Sequence, residues 1–226
     1  MFRLRDATMP VFALYNFNEA ASPVLDAALD NGAQDGKYIN GATPVGGLAT
    51  LDGYDDLVKI TADPAFQLDR GTLEIQFTQA AHVGTGPNTI LSRDSVGETA
   101  GGYRIDVLAD GSIAIVHETA SGSESFGTPA DFLNPGDEIN LTYSWDEGGT
   151  GGRLVIENLT SGATFDAPVP NTLTMDQGGI NQPWIIGAGQ TQSNPGILND
   201  INQHFNGTVE FFSISDTVDN APQDPT

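Results

Sequence analysis

The sequence predicts an all-β fold, an antiparallel β-sandwich. Three observations carry this. Apolar and polar residues alternate with a period of two in several separate segments, which gives each strand one apolar and one wet face. Clusters of Gly, Asp, Asn, Ser and Pro punctuate the intervals between them, as turns require. Helical periodicity is nearly absent, so strands must pack on strands.

The organising stretch is Gly71 to Ala120. In GTLEIQFTQA, Leu73, Ile75 and Phe77 alternate with Glu74, Gln76 and Thr78. In YRIDVLADGSIAIVHET, Tyr103, Ile105 and Val107 repeat the pattern, Asp110-Gly111 supplies a turn, and Ile113 and Ile115 continue on the return. Gly and Asp tolerate the positive φ a short hairpin needs. The other elements follow in chain order. Val11 to Phe17 is a first strand. Asn18 to Gly53 reads as a looping excursion with short strands near Tyr38-Ile39 and Ala49-Leu51; its AASPVLDAALDNG has some helical character, ended by Gly32. Leu57 to Ile60 is a strand after the acidic turn Asp52 to Asp56. Asn88 to Asp94 is the next, and Ser121 to Pro135 reads as a loop. Ile139 to Asp146 is a strong alternating strand. Arg153 to Asn158 and Ala163 to Val169 form a hairpin, Trp184 to Ala188 is a short strand, and Gln190 to His204 is a polar loop. Asn206 to Ser215 closes the fold with apolar residues on both faces, Val209, Phe211, Phe212 and Ile214. One domain is expected from residue 9 to 217, with a lead-in over 1–8 and a Pro/Asp-rich tail or linker over 218–226.

Composition narrows the partners. The chain carries 30 acidic against 8 basic residues, a net charge of -22. Such a surface repels phosphate backbones and anionic membranes, so neither nucleic acid nor membrane is expected as a partner. It favours hard cations, calcium above all. No run of eighteen apolar residues occurs, so no membrane-spanning helix is expected. Cysteine is absent, which excludes disulfides and thiolate metal sites. The N-terminus lacks the apolar core and cleavage site of a secretory signal. An extracellular protein with this sequence is then an excised module of a larger parent, or one exported by a C-terminal signal.

The order of segments resembles the concanavalin A-like lectin/glucanase superfamily, in its laminin-G-like bacterial branch. The residues that carry the resemblance are YNFNE at Tyr15 to Glu19, Val24 to Asp26, Asn40-Gly41, LDGYDDLVKI, the Gly-Thr-Leu-x-Ile strand, TILSRD, the Gly-Tyr hairpin, the strand ending near Trp145, and FNGTVEFFSI. The resemblance implies a jelly-roll sandwich of two curved antiparallel sheets. It also implies a structural calcium where first and last strands meet, near Asn18, Glu19, Asp26, Asn40 and Glu210. Asn18 stands where aspartate is commoner.

Catalytic signatures of that superfamily are missing. The Glu-x-Asp-x-x-Glu strand of its glycosidases is absent; Gln76, two residues from Glu74, is an amide and cannot act as acid or nucleophile. There is no Gly-x-Ser-x-Gly, and the three histidines, His82, His117 and His204, lie in different segments without zinc-motif spacing. A polar constellation remains: Arg93 and Asp94, Tyr103 and Arg104, His117, and Gln190, Gln192, Asn199 and His204 of the late loop. Arginine offers a fork for uronate or sulfate, aromatic rings a flat face for sugar, and amides paired donors and acceptors. The expectation is a non-catalytic carbohydrate-binding or adhesion module, extracellular, holding a glycan in a concave groove or on a loop rim. The alternatives are a polysaccharide lyase or hydrolase using His117, Tyr103, Arg93 and Arg104, and a structural or protein-interaction module.

Overall fold

A computed structural model of the protein describes residues 11–28, 34–93, 101–119, 122–177, 182–190 and 201–218. The lead-in 1–8, residues 219–226 of the tail, Asp94, Gln192 and Asn199 lie outside the described residues.

Among the described residues, seventeen strands form two large antiparallel sheets and one small one. In chain order they are β1 (Val11–Tyr15), β2 (Gly36–Ile39), β3 (Thr43–Val45), β4 (Leu48–Asp52), β5 (Leu57–Ile60), β6 (Arg70–Ala81), β7 (Asn88–Arg93), β8 (Tyr103–Val107), β9 (Ile113–Thr119), β10 (Gly122–Gly127), β11 (Glu138–Asp146), β12 (Gly152–Asn158), β13 (Thr164–Val169), β14 (Trp184–Ile186), β15 (Gly189–Gln190), β16 (Ile201–Asn202) and β17 (Asn206–Ser215). The eight-stranded sheet runs β13-β12-β11-β6-β17-β4-β3, with β1 also on β17. The seven-stranded sheet runs β10-β9-β8-β7-β14-β5-β2. The one helical piece among the described residues is a 3-10 turn at Pro64–Phe66, opened by the Asp63 carboxylate accepting from Ala65 N at 2.8 Å. This is the antiparallel jelly-roll β-sandwich the sequence predicts.

The organising stretch holds that position in space. Strand β6 sits at the middle of its sheet between β11 and β17, while β7, β8 and β9 are consecutive in the other. The chain changes sheets between β6 and β7, where Asn88 closes the crossing: its Oδ1 accepts from Val83 N at 2.7 Å and its Nδ2 donates to Val83 O at 2.8 Å. The alternating apolar residues of both sheets meet in one core. Tyr103 of β8 lies 5.0 Å from Tyr143 of β11 between ring centroids, and Trp184 of β14 lies 5.6 Å from Phe212 of β17. Both tryptophans are core: Trp145 and Trp184 are buried. Gly71 faces the Trp145 ring so closely that a Cβ would lie 2.8 Å from a ring carbon.

Three local features differ from the sequence reading. Residues 122–127, read as loop, form edge strand β10 on β9. Its SESF run has one apolar residue, Phe126, which packs against the core, and is otherwise exposed and polar, as edges are, so it lacks the alternation that marks a strand. The three-residue β3 is too short to announce itself, and the ends of the late polar loop pair as β15 with β16. The double apolar face of β17 has a mechanical cause: a bulge between Val209 and Phe211 shifts its register against β6. One inserted residue flips the alternation, so Val209, Phe212 and Ile214 all point inward and are buried while Phe211 is half-buried.

Candidate functional site

Three of the residues expected to touch a ligand lie inside the sandwich. Arg93, Tyr103 and His117 are direct cross-strand partners in one row over β7, β8 and β9, with exposures of 0%, 3% and 0%. Tyr103 shares its phase with Ile105 and Val107, and His117 with Ile113 and Ile115. Period-two alternation therefore assigns both to the core face, and their polar heads draw attention away from that. They stabilise the interior instead of facing solvent. The Arg93 guanidinium donates through Nη1 to Met175 O at 2.7 Å and Phe66 O at 3.0 Å, and sits 5.4 Å from the Trp184 ring centroid. Burial pushes it down to about 9, with Asp176 opposing the drop. His117 Nε2 lies 2.9 Å from Thr174 O, and its Nδ1 lies 2.6 Å from the Tyr143 hydroxyl. A carbonyl only accepts, so Nε2 carries the proton and Nδ1 accepts from Tyr143. Burial pushes His117 down to about 4, the Thr174 carbonyl opposing and the Arg93 charge assisting. Burial likewise raises the Tyr103 and Tyr143 hydroxyls well above the tyrosine range. A neutral histidine clamped at both nitrogens and sealed from water has no proton to exchange with a substrate.

Arg104 has the opposite phase and lies on the outer face of the seven-stranded sheet. Its Nε donates to Asp106 Oδ2 at 2.7 Å. The Thr89 hydroxyl faces Asp106 Oδ1 at 2.7 Å and Gln203 Oε1 at 3.1 Å. These contacts join β8, β7 and the end of the late loop into one polar chain. Thr89, Asp106 and Gln203 were missed in the sequence; opposite charges at 104 and 106, two apart on one strand face, were the available signal. Gln190 stands in β15 opposite Ile201 of β16, and His204 is half-buried just beyond. Nearby, Leu57, Ile185 and Ala188 form a second small apolar cluster, against which Ile39 and Ile201 pack. The described ends of the late excursion, Gly189–Gln190 and Ile201–Gln203, therefore lie against the outer face of this sheet. The structure brings Arg104 and both ends of that excursion together, and separates them from Arg93, Tyr103 and His117.

The five residues expected around calcium have separate partners. Asp26 Oδ1 accepts from Leu14 N and Ala28 N, each at 2.9 Å. Glu19 accepts from Leu25 N at 2.6 Å and from the Tyr38 hydroxyl at 3.2 Å. Asn40 donates to Asp55 O at 2.7 Å, Asn18 lies against Gly47, and Glu210 accepts from Gln76 Nε2 at 2.7 Å. First and last strands do pair, yet Glu210 sits at the bulge of β17, where it faces Gln76 of β6. Among the described residues, the one group of three acidic side chains within metal-ligand reach is Asp52, Asp55 and Asp56, whose ligand atoms lie within 4.8 Å of one another. Asp56 is 4% exposed; its Oδ2 accepts from Asp52 N at 3.1 Å. Burial, joined by the Asp52 and Asp55 charges and opposed by the Asp52 and Gly41 amides, holds its carboxyl above the usual range.

No family model matches the chain, and no curated protein sequence matches it. Solved structures do. The binding domain of botulinum neurotoxin DC in complex with SialylT is 12% identical, with a TM-score of 0.60 over 92% of this chain and 48% of that one. Botulinum neurotoxin type C, whose cell entry depends upon interaction with two ganglioside molecules, is 12% identical, with a TM-score of 0.59 and the same coverage. NanB, solved with Optactamide, is 11% identical, with a TM-score of 0.53 over 76% of this chain and 26% of that one. The chain spans about half the length of the neurotoxin chains it matches. At these identities the likeness establishes the jelly-roll sandwich fold.

Proposed function

We propose that this protein is a non-catalytic glycan-binding module, and that the glycan is held on the outer face of the seven-stranded sheet beside the late loop. The observation that carries the reading is the part-exposed pair Arg104 and Gln203 on that face, a cation and an amide held in place by the buried Asp106 and Thr89 next to the loop expected to contact ligand. Those are the groups that recognise sugar hydroxyls. Likeness over 92% of the chain to a domain solved with SialylT supports the same reading. The enzymatic alternative loses ground because Arg93, Tyr103 and His117, which would have done its chemistry, are enclosed. A laminin-G-like affiliation, an extracellular setting, a larger parent protein and a bound calcium belong to this proposal and rest on the order of sequence segments and the acidic surface. The test is native-gel retardation with neutral, uronate-bearing, sulfated and sialylated glycans, each polymer checked afterwards for chain length. Retardation without shortening is expected. Shortening of any polymer turns the reading toward an enzyme, and no retardation at all leaves a structural or protein-interaction module.

A further inference from the structure

The basic residues of this acidic protein are not scattered. Six of its 8 basic residues fall among the described residues: Lys37, Lys59, Arg70, Arg93, Arg104 and Arg153. Three of them stand on one cross-strand row. Register pairs Arg104 of β8 with Ser92 of β7, Ser92 with Ile185 of β14, Ile185 with Lys59 of β5, and Lys59 with Lys37 of β2. Partners in register point to the same face, here the outer face of the seven-stranded sheet. Lys37 and Lys59, the chain's two lysines, are directly opposite one another, which puts their Cβ atoms about 5 Å apart. Strand spacing puts Lys59 about 14 Å from Arg104.

The two ends of the row differ. Arg104 is neutralised by Asp106 at 2.7 Å. Lys37 is exposed and Lys59 half-buried, and among the described residues neither ammonium has an ion-pair or hydrogen-bond partner. Like charges directly opposite on a sheet face repel each other. With 30 acids in the chain, two unpaired lysines facing each other form a local cationic spot on a repelling background. An anion seated between them removes the repulsion and gains two charge-assisted hydrogen bonds. The apolar Ile39 and Leu57, two residues from each lysine on the same face, supply a non-polar floor beside it.

We infer that the Lys37–Lys59 pair is an anion subsite of the glycan face, and that the preferred ligand is an acidic sugar whose carboxylate or sulfate bridges the two ammonium groups. The inference rests on the proposed glycan-binding function and names the ligand class. Charge selection then has a simple form: the net charge of -22 repels anionic polymers in general, and the two facing lysines attract them locally, so an acidic glycan is oriented as it arrives.

The experiment measures binding of sialyllactose, a uronate oligosaccharide and a sulfated oligosaccharide, with lactose as the neutral reference, by titration calorimetry at low and high salt. It uses the wild-type chain, K37Q, K59Q and K37Q/K59Q. R70Q serves as control, since it removes one positive charge from the eight-stranded sheet. At least one acidic sugar binds more tightly than lactose, and salt weakens it. The double variant weakens that binding about tenfold or more while leaving lactose unchanged, and R70Q leaves both unchanged. Equal affinity of wild type and K37Q/K59Q for the acidic sugar overturns the subsite and leaves the glycan-binding function standing. Binding of lactose alone also overturns the subsite. Absence of binding to every sugar overturns the subsite together with the function it rests on.

Discussion

The enclosed His117 makes the stability of this protein pH-dependent in a way that can be calculated. In the unfolded chain a histidine titrates near its model value of about 6.5. In the fold burial holds it at about 4. The unfolded state therefore binds more protons between those values, and the sign follows from linkage. His117 costs nothing above pH 6.5, and stability is lost as pH falls from there through 4. With these two values the loss amounts to about 2 kcal/mol at pH 5 and to about 3 kcal/mol once both states are protonated. The perturbation is H117Q. Glutamine still offers an amide donor to Thr174 O and an acceptor to the Tyr143 hydroxyl, but it does not titrate. The assay is urea unfolding of both proteins from pH 8 to pH 5. Acidic groups titrate alike in the two, so they cancel in the difference between them. H117Q is less stable than wild type at pH 8 through lost ring packing against Tyr103 and Tyr143, and the gap narrows by about 2 kcal/mol by pH 5. A gap that stays constant across that range refutes the buried, neutral assignment. Glycan binding by folded H117Q remains at the wild-type level, since the ring does not reach the outer face.

Two further outcomes follow from the same geometry. R93M removes the donor shared by Phe66 O and Met175 O while keeping an apolar side chain beside Trp184; the buried carbonyls left without this donor, partly offset by relief of the buried charge, make it less stable by about 1 to 3 kcal/mol. A urea midpoint unchanged within error overturns that role. At Asp56 the raised carboxyl has the opposite linkage to His117: a proton is held more tightly in the fold, so stability is present below pH 4 and is lost as pH rises through the folded value. D56N therefore raises Tm near pH 7 in chelator, with a gain that fades toward pH 4. Millimolar calcium reverses the order if Asp52, Asp55 and Asp56 hold the ion, and wild-type Tm values that are identical with calcium and with chelator exclude it from that turn.

Strand existence was legible where alternation was strong, in β6, β8, β9 and β11, and in β17 where the apolar run was dense. Pairing and edges were not. Strand β10 carries a single apolar residue, Phe126, and so no repeating phase, and only its pairing with β9 reveals it; the bulge in β17 was visible as an anomaly whose cause lay in its register with β6. For the candidate site, phase was the information least used. Tyr103 and His117 were already in step with isoleucines and valines, and Arg104 was already out of step.

The sequence by itself determined the sandwich, its single main core and the acidic surface, because alternation and charge are properties of local runs of residues. Tertiary structure alone decided which polar residues meet. Arg93 is separated from Tyr103 by ten positions and from His117 by twenty-four, yet register sets them in one interior row. Lys37, Lys59 and Arg104 belong to three different segments, and only the order β8-β7-β14-β5-β2 lays them along one face. Strand order is fixed by how two whole sheets bury their apolar faces against each other, a constraint that no single stretch of this chain contains.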